Sequence, residues 1–291
     1  MARSVRSRQL FIGNGCGDFI RREIVMAKGN MSACLPITLA YEGGFTSDRR
    51  DPGNWTGGAV GRGTLKGTKY GIAAASYPNL DISRLTIADV TPIYQRNYWR
   101  PLGAEALPAG LDLVTFDYGV NSGTARAAKA LQAVVGAATD GVVGGETLKK
   151  AAMSDVKRVI QSLCARRLGF LQGLKTWATF RGGWSKRVAD VEARGVAMWL
   201  AASAHADPKG ALSQEAEKAD AVSKKQRRTA GGTTALATGG AGSNMAAGGE
   251  INWLLIAGIV VVVVAVAGLL VLKARRNRER AAAYQALAKV A

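Results

Sequence analysis

The sequence predicts a mainly α-helical domain, then a flexible linker and a single C-terminal transmembrane helix. Three observations carry this. Residues 33–203 show apolar positions repeating at helical spacing, with no long period-2 alternation to compete. Residues 204–250 turn to Ala, Gly, Ser, Thr and charge, without a large aromatic. Residues 251–272 hold no charged residue over 22 positions.

Composition removes several kinds of chemistry first. The 291 residues include 39 Lys+Arg against 21 Asp+Glu, a formal net charge of +18, with one His and three Cys. Such a balance calls for an anionic partner. A single imidazole, His205, excludes a His-Glu-x-x-His zinc site, and His205 lies in the stretch that reads as linker. Cys16, Cys34 and Cys164 are odd in number and far apart, so they offer neither a disulfide framework nor a metal knot. No metal and no cofactor are indicated. Catalysis, if present, rests on carboxylates, hydroxyls or lysines. Zinc-finger spacing, an RNP-type strand and a basic zipper are all missing, so nucleic acid is not the expected partner.

Residues 1–32 form a basic extension of six Lys/Arg and two acids, without the continuous apolar run of a secretory signal. Met26 and Met31 leave a later natural start open, and no function is assigned here.

Residues 33–203 carry five of the six Trp and 21 Lys/Arg against 13 Asp/Glu. Val156, Val159, Ile160, Leu163 and Cys164 share one helical face, with Lys157, Arg158, Arg166 and Arg167 largely off it. Ala125, Ala128, Leu131, Gln132 and Val135 form a second stripe, entered through a capping region at 121–124.

The low-complexity part of 204–250 predicts a flexible tether spanning roughly 40 Å. The run at 251–272 is long enough, at about 1.5 Å per residue, for a bilayer core of about 30 Å. Trp253 marks one end; Lys273, Arg275, Arg276, Arg278 and Arg280 crowd the other, beside Glu279. The positive-inside rule then places the basic tail 273–291 in the cytoplasm. The domain is expected on the cell-wall side, or in a virion membrane, with the lipid bilayer as a partner. That topology conflicts with the lack of an export signal.

The chemistry-bearing residues cluster around Glu42. Leu35, Leu39 and Ala40 suggest a helix, and Gly43-Gly44 its end. A carboxyl at such an end is placed for partial desolvation, which suits a general acid of glycosidic bond cleavage; a solvated helix end fits the same spacing. Asp48 and Asp51 come next, the latter in an Asp-Pro-Gly turn. Asp51 either caps that turn or serves as a second carboxylate that positions water or stabilises an oxocarbenium-like transition state. Asp48, beside Arg49, reads as solvated, and Asp117 as a buried hydrogen-bonding residue. Trp55, Tyr70, Tyr98, Trp99 and Tyr118 offer flat faces to sugars, or are core aromatics with a polar handle.

An ordered set of short motifs runs through this region: Glu42-Gly43-Gly44-Phe45, Asp51-Pro52-Gly53, Tyr70-Gly71-Ile72, Tyr94 with Tyr98-Trp99, Phe116-Asp117 and Asn121-Ser122-Gly123. With them the chain resembles glycoside hydrolase family 108, the lysozyme-like N-acetylmuramidases. Leu131-Gln132, Asp140-Gly141, Gly144, Thr147-Leu148 and Gly183-Trp184…Arg187-Val188 are similar to the peptidoglycan-binding half of that family. The resemblance spans about residues 33–200. It implies a lysozyme-like fold, with a catalytic region at 33–120 and a helical peptidoglycan-binding half at 121–203. It further implies peptidoglycan as substrate and Glu42 as proton donor, with cleavage of the β-1,4 bond after N-acetylmuramic acid. One departure is a Gly-rich insert after Asn54-Trp55-Thr56, which leaves Thr56 and Thr68 both open for the family threonine. Tyr70, Tyr118, Asn121 and Thr68 are the expected substrate-binding residues, although Asn121 also suits a helix cap.

Three functions stand as expectations. The first is a membrane-tethered muramidase for phage lysis, virion entry or wall remodelling. The second is a lytic transglycosylase on the same fold. The third is a non-catalytic wall-binding anchor in which Glu42 is incidental.

Overall fold

The structure, a computed structural model, describes residues 29–245 and 253–291. Residues 1–28 of the basic extension, Cys16 among them, and residues 246–252, where linker meets apolar run, lie outside the described residues.

Helix α1 (Met31–Leu39) buries Met31, Cys34, Leu35 and Leu39. The chain then forms a loop region, stapled by a capped turn at Pro52–Asn54 and by a short antiparallel hairpin, β1 (Thr68–Lys69) and β2 (Ile72–Ala73), in the register Thr68↔Ala73 and Lys69↔Ile72. Helix α2 (Ile87–Tyr94) starts at a capping box in which Thr86 Oγ1 accepts from the Asp89 amide and Asp89 returns the bond to the Thr86 amide. It runs straight into a π turn at Gln95–Trp99, the kind of bulge that re-aims side chains near functional sites.

Helix α3 (Leu111–Ser122) is the centre of the domain, with every residue from Leu111 to Gly119 buried. Over that stretch it has no solvent-facing stripe, and its polar members Asp112, Thr115 and Asp117 are buried with the rest. Around it stand α4 (Thr124–Val135), α5 (Gly145–Met153), α6 (Val156–Gln172) and α7 (Trp177–Ala202). The α6 stripe lies inward as its spacing predicts, but Arg167, expected off that face, is fully buried. In α4 the buried face is Ala127, Ala128, Ala130, Leu131 and Gln132, while Ala125 is exposed. Buried Gln132 holds the turn beyond α4, donating to Asp140 Oδ1 (2.6 Å) and accepting from the Gly141 amide (2.9 Å). The α3 and α7 backbones meet at two glycines. A Cβ on Gly110, which sits at φ +82°, would lie 1.9 Å from the Gly195 carbonyl oxygen, so this crossing tolerates no side chain.

The C-terminal third corrects the sequence expectation. The flexible linker expected at 204–250 is instead largely helical: α8 spans Pro208–Met245. Its first half is built of Ala, Glu, Lys, Gln and Arg, which are strong helix formers. Leu212, Ala216, Ala219, Ser223 and Ala230 form its buried seam. They face α9 (Trp253–Ala288), whose buried residues Ala267, Ala274, Asn277, Ala281, Tyr284 and Ala288 repeat in heptads. Ser223 Oγ donates to the Ala274 carbonyl (2.8 Å) and Asn277 Nδ2 to Gln226 Oε1 (3.0 Å), which fixes the register of this hairpin.

The membrane-spanning assignment of 251–272 fails as well. Among the described residues no helix is long and apolar enough to cross a membrane. From Trp253 on, the apolar run belongs to the N-terminal half of α9, and the basic half of the same helix is docked on the domain rather than being a free juxtamembrane tail. Arg280 pairs with Glu192 of α7 (2.6 Å), and Tyr284, fully buried, donates to the same carboxylate (3.0 Å). Bilayer contact, a cytoplasmic tail and a single-pass location lose their support together with the span.

The docking predicts a stability effect that a free tail does not have. Glu192 is 3% exposed, and losing Arg280 removes the cation paired with a buried carboxylate. Arg280→Ala is expected to cost about 3–5 kcal/mol, read as a lowered melting temperature. An unchanged Tm would show that α9 does not dock on α7.

Candidate functional site

The end of α1 carries the site. After Ala40, the Tyr41 and Glu42 amides donate to the Thr38 (3.0 Å) and Leu39 (3.1 Å) carbonyls, tightening the last turn so that Glu42 projects from the helix end. Its side chain is 21% exposed. Glu42 Oε1 accepts from Arg187 Nη2 at 2.7 Å.

Arg187 stands on α7 and reaches two carboxylates. Besides Glu42 it grips Asp117 of α3 with both arms of its fork, Nε to Oδ2 (3.1 Å) and Nη2 to Oδ1 (2.8 Å). Arg167 of α6 donates to Asp117 Oδ2 at 2.6 Å. Burial alone pushes the Asp117 carboxyl up, but the Arg167 and then the Arg187 guanidinium outweigh it and hold the group below its ordinary range. Asp117 is therefore a buried anion between two cations, in keeping with the hydrogen-bonding role its apolar surroundings suggest. Tyr41 adds a further layer: its ring lies 5.0 Å under the Arg187 guanidinium, and its hydroxyl donates to Asp190 Oδ2 at 2.5 Å.

The hairpin tip closes the other side. Tyr70 (φ +51°) and Gly71 (φ +70°) link β1 to β2, the two positive-φ positions of a tight type I′ connection. A bulky residue at the first of these is strained. It is held there by Tyr94, whose hydroxyl donates to the Tyr70 carbonyl at 2.7 Å. A Cβ on Gly71 would sit 3.0 Å from that hydroxyl and 3.6 Å from Glu42 Oε2. Glycine thus lets the turn close against the acid. The π turn stacks Tyr98 on Tyr94 at 5.4 Å between ring centres. Burial first, and then the Glu42 charge, push both phenols up, so each keeps its proton.

The structure brings Glu42 against the hairpin tip, of which Tyr70 is part, and sends other expected residues elsewhere. Thr68 lies in β1, one pair from the hairpin tip, and exchanges backbone hydrogen bonds with Thr46 (2.8 and 2.9 Å). Thr56 Oγ1 instead accepts from the Thr64 amide (2.9 Å) inside the Gly-rich insert. Asp51 is exposed, and its Oδ1 accepts from the Gly53 amide (2.9 Å), which is the turn-capping geometry. Asp48 is exposed and paired with Arg50, which lowers its pKa to about 2. Tyr118 is 1% exposed inside the core, with Arg167 5.5 Å from its ring centre, and presents no face to a groove. Asn121 belongs to the last turn of α3 and accepts from Ser122 Oγ (3.1 Å); α4 starts after Gly123 without a side-chain cap. Sequence reasoning missed Arg187, Tyr94, Tyr41 and Asp190 as partners of the site. A signal existed for two of them, since Tyr94 and Arg187 both stand in the motifs shared with the family.

Among the described residues no cluster of His, Cys, Asp and Glu is arranged to hold a metal. A partly exposed carboxyl anchored through one oxygen, beside neutral phenols, is a geometry for proton transfer to an oxygen of a bound ligand.

Residues 35–123 match the family model Glycosyl hydrolase 108. No protein of curated function matches the chain. Among solved structures, the chain is similar to Brucella abortus SagA, with 35% sequence identity over 59% of this chain and 96% of SagA, at a TM-score of 0.49. The matched family segment runs from α1 to the end of α3 and so contains Glu42, the hairpin tip, Tyr94 and Asp117. Over residues 35–123 the chain is similar to glycosyl hydrolase family 108, and it is a glycoside hydrolase.

Proposed function

We propose that the protein is an N-acetylmuramidase, cleaving the β-1,4 bond between N-acetylmuramic acid and N-acetylglucosamine in peptidoglycan with Glu42 as general acid. The observation that carries this reading is the asymmetric setting of the Glu42 carboxyl. Arg187 holds Oε1, on a side chain that remains 21% exposed, with Gly71 beside Oε2. A protonated Glu42 keeps the Arg187 bond through Oε1 as carbonyl acceptor and turns an Oε2–H toward the glycosidic oxygen. Transfer of that proton accompanies cleavage of the C1–O bond, and water adds to C1 to give a reducing end. The basic composition fits an anionic wall polymer, with 21 Lys/Arg against 13 Asp/Glu over residues 33–203. Tyr70 and Thr68, at and beside the hairpin tip, are the proposed glycan contacts.

One observation also suits a lytic transglycosylase. Asp51 Oδ1, both Asp117 oxygens and Asp190 Oδ2 are engaged within the fold, and a transglycosylase needs only one acid. Product mass separates the two, since a transglycosylase leaves anhydro-muramyl ends.

Glu42→Gln is expected to lower kcat on purified sacculi by about 10²–10⁴-fold while wall binding and Tm persist. Full activity in this variant would remove Glu42 as the acid. Asp51→Asn keeps an acceptor for the Gly53 amide, so its rate is expected to stay close to the parent's. A loss comparable to that of Glu42→Gln would make Asp51 the second catalytic carboxylate.

Asp117→Ala leaves two buried guanidiniums without their anion and is expected to cost about 3–5 kcal/mol of stability. Because the folded-state pKa of Asp117 is depressed, its contribution is full above about pH 4 and is lost as pH falls below that. Urea unfolding of the wild type across pH 2–5 should therefore show a fall in stability that the variant lacks.

A further inference from the structure

Helix α7 carries more than Arg187 on the face turned to the acid. Phe180, Gly183, Arg187 and Asp190 succeed one another at spacings of three, four and three residues, which places them in one line along the helix. Arg187 and Asp190 bind Glu42 and Tyr41. The next position toward the helix start, Gly183, has nothing within 4 Å of where a Cβ would lie, so the surface beyond Arg187 is open. Phe180 comes next, 51% exposed, with its ring 5.4 Å from Trp184 and tilted 30° to it; Trp184 in turn lies 6.2 Å from Trp177. Trp177, Arg181 and Ser185 of the same segment line a crevice with Leu272 and Glu279 of α9. Of these three rings, Phe180 is the one left facing outward, in line with the acid.

From this line we infer that Phe180, supported by Trp184 and Trp177, is a distal glycan-stacking subsite. It takes the part of a β-1,4-linked strand that runs from Glu42 along α7. The inference rests on the proposed glycan-cleaving role of Glu42. Continuity argues for this occupant. Phe180 stands seven residues from Arg187, about 10 Å along the helix, a distance that a strand anchored at Glu42 covers and a single sugar does not. Gly183 gives the strand a floor without a side chain. An exposed ring packed on the Trp184 indole, which itself rests on Trp177, offers a rigid flat face that suits the apolar faces of sugar rings.

The test uses the full chain carrying Glu42→Gln, so that ligands survive, with and without Phe180→Ala. Soluble peptidoglycan glycan strands of defined length are titrated by calorimetry, and Tm is recorded for each protein. Phe180 is exposed, so Tm should not move. Phe180→Ala is expected to weaken binding of long strands by roughly tenfold and leave disaccharide-length ligands unaffected, with Phe180→Trp restoring the long-strand affinity. Equal affinity of Phe180→Ala and its parent for long strands overturns the subsite, as does a loss that is the same at every length. Hydrolysis that persists in Glu42→Gln with Phe180 intact would instead strike the catalytic reading, and the length dependence would still be measured on its own.

Discussion

Everything around the candidate acid hangs on one buried carboxylate. Asp117 sits where α3, α6 and α7 converge, fully excluded from solvent. A lone anion there costs several kcal/mol, and what makes it tolerable is two guanidiniums brought from two other helices. Once Arg187 is fixed by its bidentate grip on Asp117, its remaining donor capacity points at the end of α1, where Glu42 lies. A glutamate at a helix terminus is otherwise a mobile surface group. Here it is positioned by a chain of charge, Arg167 to Asp117 to Arg187 to Glu42, whose inner members cannot move without exposing the core. Asp112 of the same helix shows the contrast. It is buried with Asn30 and Cys34 as side-chain partners in place of a guanidinium, and burial drives its pKa up to about 6.

Opposite this rigid anchor the chain accepts strain. Tyr70 adopts a left-handed conformation that suits Asn or Gly better, and the Tyr94 hydroxyl holds it there. Tyr98 is in turn set against Tyr94 by the π turn after α2, since an ordinary α-helical path would rotate the residues beyond Tyr94 by a fraction of a turn. Phe116 of α3 packs edge-on against both Tyr94 and Trp99. The two sides of the site thus share α3 as a common support, one through a salt bridge and the other through aromatic packing.

The parts of this arrangement readable in the sequence are those whose signal is local. Glu42 before Gly43-Gly44, Tyr70-Gly71, and the α6 stripe each depend on neighbours within a turn or two. The Arg187–Glu42 bond joins positions 145 residues apart, and no periodicity announces it. Arg167 reads as a surface charge because its meaning comes from Asp117, on another helix. Tyr118 reads as a sugar-facing residue from its place in a motif, but every residue from Leu111 to Gly119 is buried, and a residue of such a helix has no outer face to offer. The C-terminal third misleads for a different reason. Small residues suggest flexibility and unbroken apolar residues suggest lipid when read by composition. Read by heptad, the alanines at 267, 274, 281 and 288 line a helix–helix seam.

That seam bears on the acid through α7. One face of this helix carries Arg187 and Asp190 toward Glu42 and Tyr41, and its other face carries Glu192 toward Arg280 and Tyr284 of α9. Toward its C-terminal end the Gly110–Gly195 crossing locks α7 to α3 at backbone contact, leaving little freedom to slide. A shift of α7 large enough to release Arg187 from Glu42 would have to break the Asp117 pair, the glycine crossing and the Glu192 pair together. The C-terminal hairpin is therefore a brace on the helix that orients the acid, and the charges at 275–280, which composition assigns to a lipid surface, take part in holding that helix in place.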